Sequence, residues 1–99
     1  MTKTAQEAYD DILSHIREQG GAFPSWYCGV TSDIEDRLFG AHNVPKENHW
    51  FAFRQCISSD AARDVETAFL EHGCDGGEGG GDNSAVYVYA YLKTSITEP

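Results

Sequence analysis

The sequence predicts a small α+β domain, in which a three-stranded, mainly antiparallel sheet is flanked by three helices in the order α-β-α-β-α-β. Three segments carry apolar residues at helical spacing, and three shorter segments are rich in aromatic residues or alternate between apolar and polar side chains. A chain of 99 residues has room for a single core. We therefore assign residues 1–99 to one domain.

The first predicted helix covers about residues 5–19. Thr4 and Glu7 have the spacing of a capping box at its start, and the pair Gly20-Gly21 supplies a stop. Residues 26–30 come next, and their short aromatic run indicates the first strand.

A second helix is predicted from the capping-box spacing of Ser32 and Glu35. Asn43 and Pro45 should end it, because the residue before a proline is disfavoured in the helical conformation. Residues 49–57 then form the second predicted strand.

The third helix should begin after Ser58 and end at Gly73. Residues 74–83 follow as a glycine-rich acidic loop without packing side chains. Residues 84–93 alternate strictly and give the strongest strand signal in the chain. One face of that strand carries three tyrosines, namely Tyr87, Tyr89 and Tyr91.

The charge balance restricts the class of function. Sixteen acidic residues against seven basic ones give a formal net charge of −9, which disfavours a general nucleic-acid coat protein because such proteins bind through neutralised phosphates. The chain has three cysteines, a number that is too small and odd for a disulfide framework. The chain has no apolar run near the ~20 residues of a membrane span and no signal-peptide start. We expect a cytoplasmic protein with no membrane partner.

A compact motif surrounds the first predicted strand. Tyr27-Cys28-Gly29 ends the strand, Arg37 lies one turn inside the following helix, and a His42-Asn43 pair comes after it. This arrangement resembles the small single-domain members of the GIY-YIG endonuclease superfamily, in which a Tyr-Ile-Gly strand precedes a helix with a catalytic arginine. The resemblance implies catalytic roles for Tyr27, Arg37 and His42, and a substrate-binding role for Gly29.

The resemblance continues along the chain to residue 83. Glu66, on the third predicted helix, matches the family's metal-binding and catalytic glutamate, and Asn83 matches its late, substrate-binding asparagine. The implied activity is hydrolysis of a DNA or RNA phosphodiester with Mg²⁺ or Mn²⁺. The chemistry is consistent: Arg37 can grip phosphate oxygens, Glu66 can hold the cation, and Tyr27 or His42 can accept a proton from the attacking water.

One part of the family pattern is missing. The family's Gly-Ile-Tyr strand should pair with the second motif, but a helix precedes Trp26 instead. We expect strand 84–93 to take that place and to pair beside strand 26–30. The identity of the first catalytic tyrosine stays open.

Each candidate residue also has an ordinary structural explanation. Arg37 can pair with Asp33 or Asp36, Glu66 suits a solvated helix surface, and Tyr27 can be a core aromatic. His42 can simply cap its helix. The three tyrosines of the last strand can stack nucleobases or form a layer under a helix, and the lack of a basic cluster favours the layer.

The sequence disfavours two further kinds of site. The cysteines and histidines lack the spacing of a zinc knuckle, and the glycine loop lacks the Lys-Ser/Thr of a phosphate-binding loop. Besides the nuclease, two binding functions stay open. One is an inactive scaffold of the same fold that binds a protein or ligand; the other is an unrelated partner-binding protein that uses Trp26, Trp50 and the tyrosine strand.

Overall fold

The computed structural model describes residues 2–45, 49–76 and 84–97. Within this part of the chain the elements follow one another as α1 (Ala5–Glu18), β1 (Trp26–Thr31), a π-helix (Glu35–Ala41), β2 (Phe51–Gln55), α2 (Ser59–His72) and β3 (Tyr87–Leu92), with a 3₁₀ turn at Phe23–Ser25. The predicted α+β class and the order α-β-α-β-α-β are confirmed.

The sheet has the spatial order β1-β3-β2, and both pairings are antiparallel. The last strand of the chain is therefore the central one. Its register against β1 sets Tyr91 opposite Tyr27 and Tyr89 opposite Gly29. The expectation that strand 84–93 pairs beside strand 26–30 is confirmed.

The outer edge of β1 is partly covered by the chain that follows α2. Asp75 pairs in parallel with Tyr27, donating its amide hydrogen to the Trp26 carbonyl at 2.8 Å and accepting from the Cys28 amide at 2.9 Å. Cys74 is buried. The prediction that residues 74–83 carry no packing side chains is therefore wrong at its first positions, because those residues extend the sheet; residues 77–83 lie outside the described residues.

Both α-helices begin and end as predicted from their caps. Thr4 and Glu7 form the reciprocal capping box of α1, and the Ser58 side chain accepts a hydrogen bond from the Ala61 amide at the start of α2. Gly73 ends α2 with φ 111°, a left-handed conformation that glycine adopts without steric cost.

The second helix differs from its prediction. Ser32 is exposed and caps nothing in the described contacts, and Asp33 takes that role by accepting from the Asp36 amide at 3.2 Å. The reason is a turn just before it, in which the Thr31 hydroxyl accepts from the Asp33 amide at 3.1 Å. The predicted capping box of Ser32 and Glu35 is therefore wrong by one residue.

This helix is also wound more widely than an α-helix. The His42 amide donates to the carbonyl of Arg37, five residues earlier, at 2.9 Å. Asn43 then leaves the helix with φ 54°. The wide turn allows His42 to follow the helix directly and to lie under it, over the sheet.

The second and third strands are shorter than predicted. β2 ends at Gln55 rather than at residue 57, although the Cys56 amide still donates to the Val86 carbonyl at 2.8 Å. Cys56 also forms a parallel bridge with Lys3, from the N-terminal segment. The ends of both strands thus bond to neighbours outside a regular ladder.

Two separate cores cover the two faces of the sheet. The helix face packs against α1 and α2 and is aliphatic and thiol-rich; its sheet residues include Trp26, Cys28, Val30, Ala52, Val88 and Ala90. The tyrosine face lies under the π-helix and is built from Tyr27, Ile34, Leu38, Val44, Tyr89 and Tyr91. Within the described ranges, the structure contains no helix with the length and apolar character needed to cross a bilayer.

Candidate functional site

Three tyrosines and a histidine form a buried cluster on the tyrosine face. The rings of Tyr27 and Tyr91 are stacked with their centroids 5.4 Å apart, and the His42 ring lies 4.6 Å from that of Tyr27. Tyr89 completes the group, and each of the four residues is at most 9% exposed. Two of the predicted catalytic residues, Tyr27 and His42, are thus in contact.

The imidazole of His42 bridges two phenols. Its Nε2 lies 2.7 Å from the Tyr89 hydroxyl, and its Nδ1 lies 3.2 Å from the Tyr91 hydroxyl. In a neutral imidazole one nitrogen donates and the other accepts, so one phenol accepts from His42 and the other donates to it. The histidine therefore fixes the orientation of both tyrosines.

Gly29 makes this arrangement sterically possible. A Cβ at position 29 would lie 2.5 Å from the Tyr89 hydroxyl oxygen and 2.7 Å from its Cζ. Because the phenol of Tyr89 lies directly over the backbone of β1, residue 29 must lack a side chain. The glycine of the Tyr-Cys-Gly motif thus has a packing function, with no contact to substrate required.

Burial and neighbouring groups keep the phenols of Tyr89 and Tyr91 protonated. Burial raises the pKa of Tyr89 well above its usual value, the neighbouring Tyr27 adds to the rise, and the positive charge of Arg37 acts against it. Burial likewise raises the pKa of Tyr91, with Tyr27 and Asp75 acting in the same direction. The opposing effect of Arg37 on Tyr89 indicates that its guanidinium lies near the cluster.

Arg37 is the exposed member of the site. It makes no ion pair within the described residues, so the ordinary explanation of pairing with Asp33 or Asp36 does not apply there. A guanidinium that is exposed and close to a buried polar cluster can bind a phosphate through two parallel hydrogen bonds. This makes Arg37 the strongest anion-binding candidate of the predicted set.

Glu66 approaches β1 from the other side of the sheet. It lies on α2, which packs on the helix face, and it is half-buried. Burial raises the pKa of its carboxyl group, and the positive charge of Arg63 opposes that rise. Its own charge contributes, after burial and Cys74, to the raised pKa of Cys28. The structure therefore brings Glu66 next to β1, but against the face opposite to Tyr27 and His42.

The remaining predicted residue, Asn83, lies outside the described residues. No group of three or more His, Cys, Asp or Glu side chains suited to a metal occurs among residues 2–45, 49–76 and 84–97. The charge of Glu66 acts on Cys28 of β1, and the charge of Asp75 acts on Tyr91 of β3. A cation bound by Glu66 would take most of its remaining ligands from water and phosphate.

Asp75 is a neighbour of the site that sequence reasoning missed. Its backbone pairs with Tyr27, and its carboxylate forms an ion pair with the Lys93 ammonium at 3.3 Å. No periodicity marks it, because a single bridging residue between a helix and a glycine run leaves no alternation to detect. The sequence also does not show that Tyr89 pairs with Gly29, because tertiary packing sets the register of the strands.

The unrelated partner-binding hypothesis loses most of its proposed surface. Trp26 is fully buried, and Tyr89 and Tyr91 are buried as well, whereas Trp50 is half-exposed. Of that aromatic set, therefore, Trp50 and the half-buried Tyr87 are available to a partner. Compared with known proteins, the chain matches no family model, no curated protein and no solved structure.

Proposed function

We propose that this protein is a nuclease-like domain that hydrolyses a nucleic-acid phosphodiester slowly and with the help of Mg²⁺ or Mn²⁺. The observation that carries the proposal is the pairing of β3 with β1. It brings Tyr89 over Gly29 and against His42, beside the exposed Arg37. We assign Tyr89 as the candidate for the second tyrosine that the resemblance to GIY-YIG endonucleases implies.

The chemical roles follow from exposure and charge. Arg37 binds the scissile phosphate and stabilises the negative charge that grows on it. The Tyr27–His42–Tyr89 cluster orients the attacking water, with His42 as the group able to take its proton through Tyr89. Glu66, on the helix face beside β1, is the residue that would hold the divalent cation, and the cation would supply Lewis-acid chemistry.

The experiment is a cleavage assay at low salt with Mn²⁺ on supercoiled plasmid, single-stranded DNA and RNA. Low salt gives an acidic protein its best chance to bind a polyanion. We expect weak cleavage, lost in Arg37→Ala and in Glu66→Gln by about 10²–10³ in rate. Arg17→Ala on α1 and Glu71→Gln on α2 are the matched controls, because both residues are exposed. Cleavage that survives both site variants would disprove the site assignment.

A second candidate is an inactive scaffold of the same fold that binds a ligand or a protein. Its support is the burial of the cluster: Tyr89 is 2% exposed and Tyr91 is fully buried, and both phenols are held by His42. The position of Glu66 on the helix face and the net charge of −9 point the same way. Binding of a single-stranded oligonucleotide that depends on Arg37, without cleavage in Mn²⁺, would favour this candidate.

A further inference from the structure

The two edges of the sheet differ in how they are covered. The edge at β1 is bridged by Asp75 at Tyr27. On β2, the Trp50 carbonyl accepts from the Leu92 amide at 2.9 Å, so the even-numbered residues direct their backbone groups towards β3 and the odd-numbered ones direct theirs outwards. Among the described residues, nothing pairs with the outward N–H and C=O of Phe51.

The N-terminal segment limits the open stretch of β2. The Gln55 carbonyl accepts from the Lys3 amide at 2.8 Å, so this edge already pairs with one short extended segment of the chain. Closer to Phe51, the Arg54 guanidinium donates to the Phe53 carbonyl at 2.7 Å, while the Phe53 amide has no partner in the described part of the chain. Unpaired backbone groups of this kind pair readily with another strand.

An exposed tryptophan and a cavity lie next to each other at this edge. The Trp50 side chain is 50% exposed, and its ring lies 6.3 Å from that of His15 in α1, on the helix face. The cavity has a volume of about 390 Å³ and is lined by His15, Phe51, Ala52, Phe53 and Arg54. A cavity of roughly 150 Å³ holds a benzene ring, so this one has room for an aromatic side chain.

The open stretch allows two copies to pair antiparallel about a two-fold axis at Phe51. The Phe51 residues of the two copies then exchange both of their backbone hydrogen bonds. The Phe53 amide of each copy faces the His49 carbonyl of the other. A register closer to Gln55 would overlap the segment at Lys3, so the N-terminal segment limits how far the two strands can slide.

This register also places the tryptophan at the cavity. Residues that face each other across an antiparallel pair have their side chains on the same face of the sheet. Trp50 of one copy lies opposite Ala52 of the other, and Ala52 lines the cavity. Each copy thus supplies one indole and receives one, which is the self-complementarity that a two-fold interface requires.

We infer that the protein forms a symmetric dimer in which the β2 strands of two copies pair at Phe51 and each Trp50 fills the cavity of the other copy. The inference is independent of the proposed function, because it uses none of the nuclease residues. A second copy is the favoured occupant of the edge, since it carries an exposed aromatic side chain at the position that faces the cavity.

The test is amide hydrogen exchange at low and high protein concentration, with sedimentation velocity over the same range. High salt is used, because each copy carries a net charge of −9 and salt screens the repulsion between them. The amides of Phe51 and Phe53 should exchange more slowly as the dimer forms, whereas the Ala52 and Arg54 amides face β3 and should be protected at both concentrations.

A mixed sample of labelled and unlabelled protein tests the register. Facing residues that do not exchange hydrogen bonds bring their α-carbons to roughly 4.5 Å. We therefore expect an intermolecular NOE between the α-protons of Trp50 and Ala52. A dimer without this contact would overturn the proposed pairing.

Two variants test the contribution of the indole. Trp50→Ala should raise the dissociation constant of the dimer by at least about tenfold. Ile57→Ala is the matched control, because Ile57 is 61% exposed and follows β2 beyond the bridge at Lys3. It should leave the constant unchanged, and protection of the Ala52 amide verifies the fold of both variants. A protein that stays monomeric at the highest concentration, exchange of the Phe51 amide that does not depend on concentration, or equal effects of the two variants would each overturn the inference.

Discussion

The two faces of the sheet are built on different principles. The helix face is closed by two 14-residue helices and filled with aliphatic, aromatic and thiol side chains that need no polar partner for most of their atoms. The tyrosine face is closed by a seven-residue π-helix and filled with phenols held by one imidazole. The helix face therefore supplies stability through burial, whereas the tyrosine face depends on hydrogen bonds with defined geometry. Our proposal that the tyrosine face is the functional one rests on this difference.

Truncation on the helix face should have the largest effect on stability. Phe69 is fully buried between α2 and the sheet and stacks on Tyr9 at 5.0 Å. We expect Phe69→Ala to lower the free energy of unfolding by about 3–5 kcal/mol, measured by urea denaturation. If enough folded protein remains, the amide shifts of Tyr27 and Tyr89 should stay close to those of the parent, and large changes there would mean that the two faces are not independent.

An added methyl group at Gly29 should have the second largest effect on stability. Gly29→Ala forces the Tyr89 phenol off the backbone of β1, because the new Cβ would lie 2.5 Å from its oxygen. The expected loss is about 1–3 kcal/mol, together with loss of the contact between Tyr89 and His42. Gly40→Ala is the matched control, since a Cβ there meets no atom closer than 3.8 Å. A Gly29→Ala variant as stable as Gly40→Ala would show that the phenol does not lie where we describe it.

The two phenols that are hydrogen-bonded to His42 should contribute different amounts to the free energy of unfolding. Tyr89→Phe leaves Nε2 of a buried imidazole without its 2.7 Å partner, and we expect it to cost about 1–2 kcal/mol. Tyr91→Phe removes the longer, 3.2 Å contact and should cost less. The comparison is made by denaturant midpoints at pH 7, and a larger loss for Tyr91→Phe would reverse the assigned importance of the two tyrosines.

Glu66→Gln should produce the smallest change in the free energy of unfolding, and this change should be an increase. Burial raises its pKa above the ordinary 4.5, so the folded protein binds the proton more tightly than the unfolded chain. Stability contributed by Glu66 is therefore present below pH 4.5 and falls as pH rises through the higher folded pKa. Glu66→Gln should be slightly more stable than the parent at pH 7 and equal to it near pH 4, by urea denaturation at both values. A variant less stable at pH 7 would show that the charged form is stabilised by a partner.

The comparison of the faces also explains what the sequence could predict. Caps, glycine stops and the alternation of β3 are local, so Thr4, Ser58, Gly73 and the tyrosine strand were all assigned correctly. The start of the π-helix was not assigned correctly. The Thr31 hydroxyl accepts from the Asp33 amide and makes Asp33 the cap, and residue spacing alone does not show that this cap is favoured over Ser32.

The site itself was predicted only in part. Tyr27, His42 and Arg37 lie close along the chain, and the structure brings their neighbourhood together around Tyr89. Glu66 belongs to a helix whose face against the sheet depends on the apolar stripe formed by residues such as Val65 and Phe69. The order of the motifs along the chain does not show which face of the sheet α2 covers. This is why Glu66 was expected beside the tyrosines.

The central claim is that the tyrosine face, through Arg37, is the functional face. The most direct test is a titration of ¹⁵N-labelled protein with a short single-stranded oligonucleotide at low salt, without divalent cation. We expect the largest amide shifts in the π-helix and at Gly29 and Tyr89, with loss of the response in Arg37→Ala and its retention in Arg17→Ala. Shifts centred on α1 or α2, or an equal response from the two arginine variants, would contradict the account.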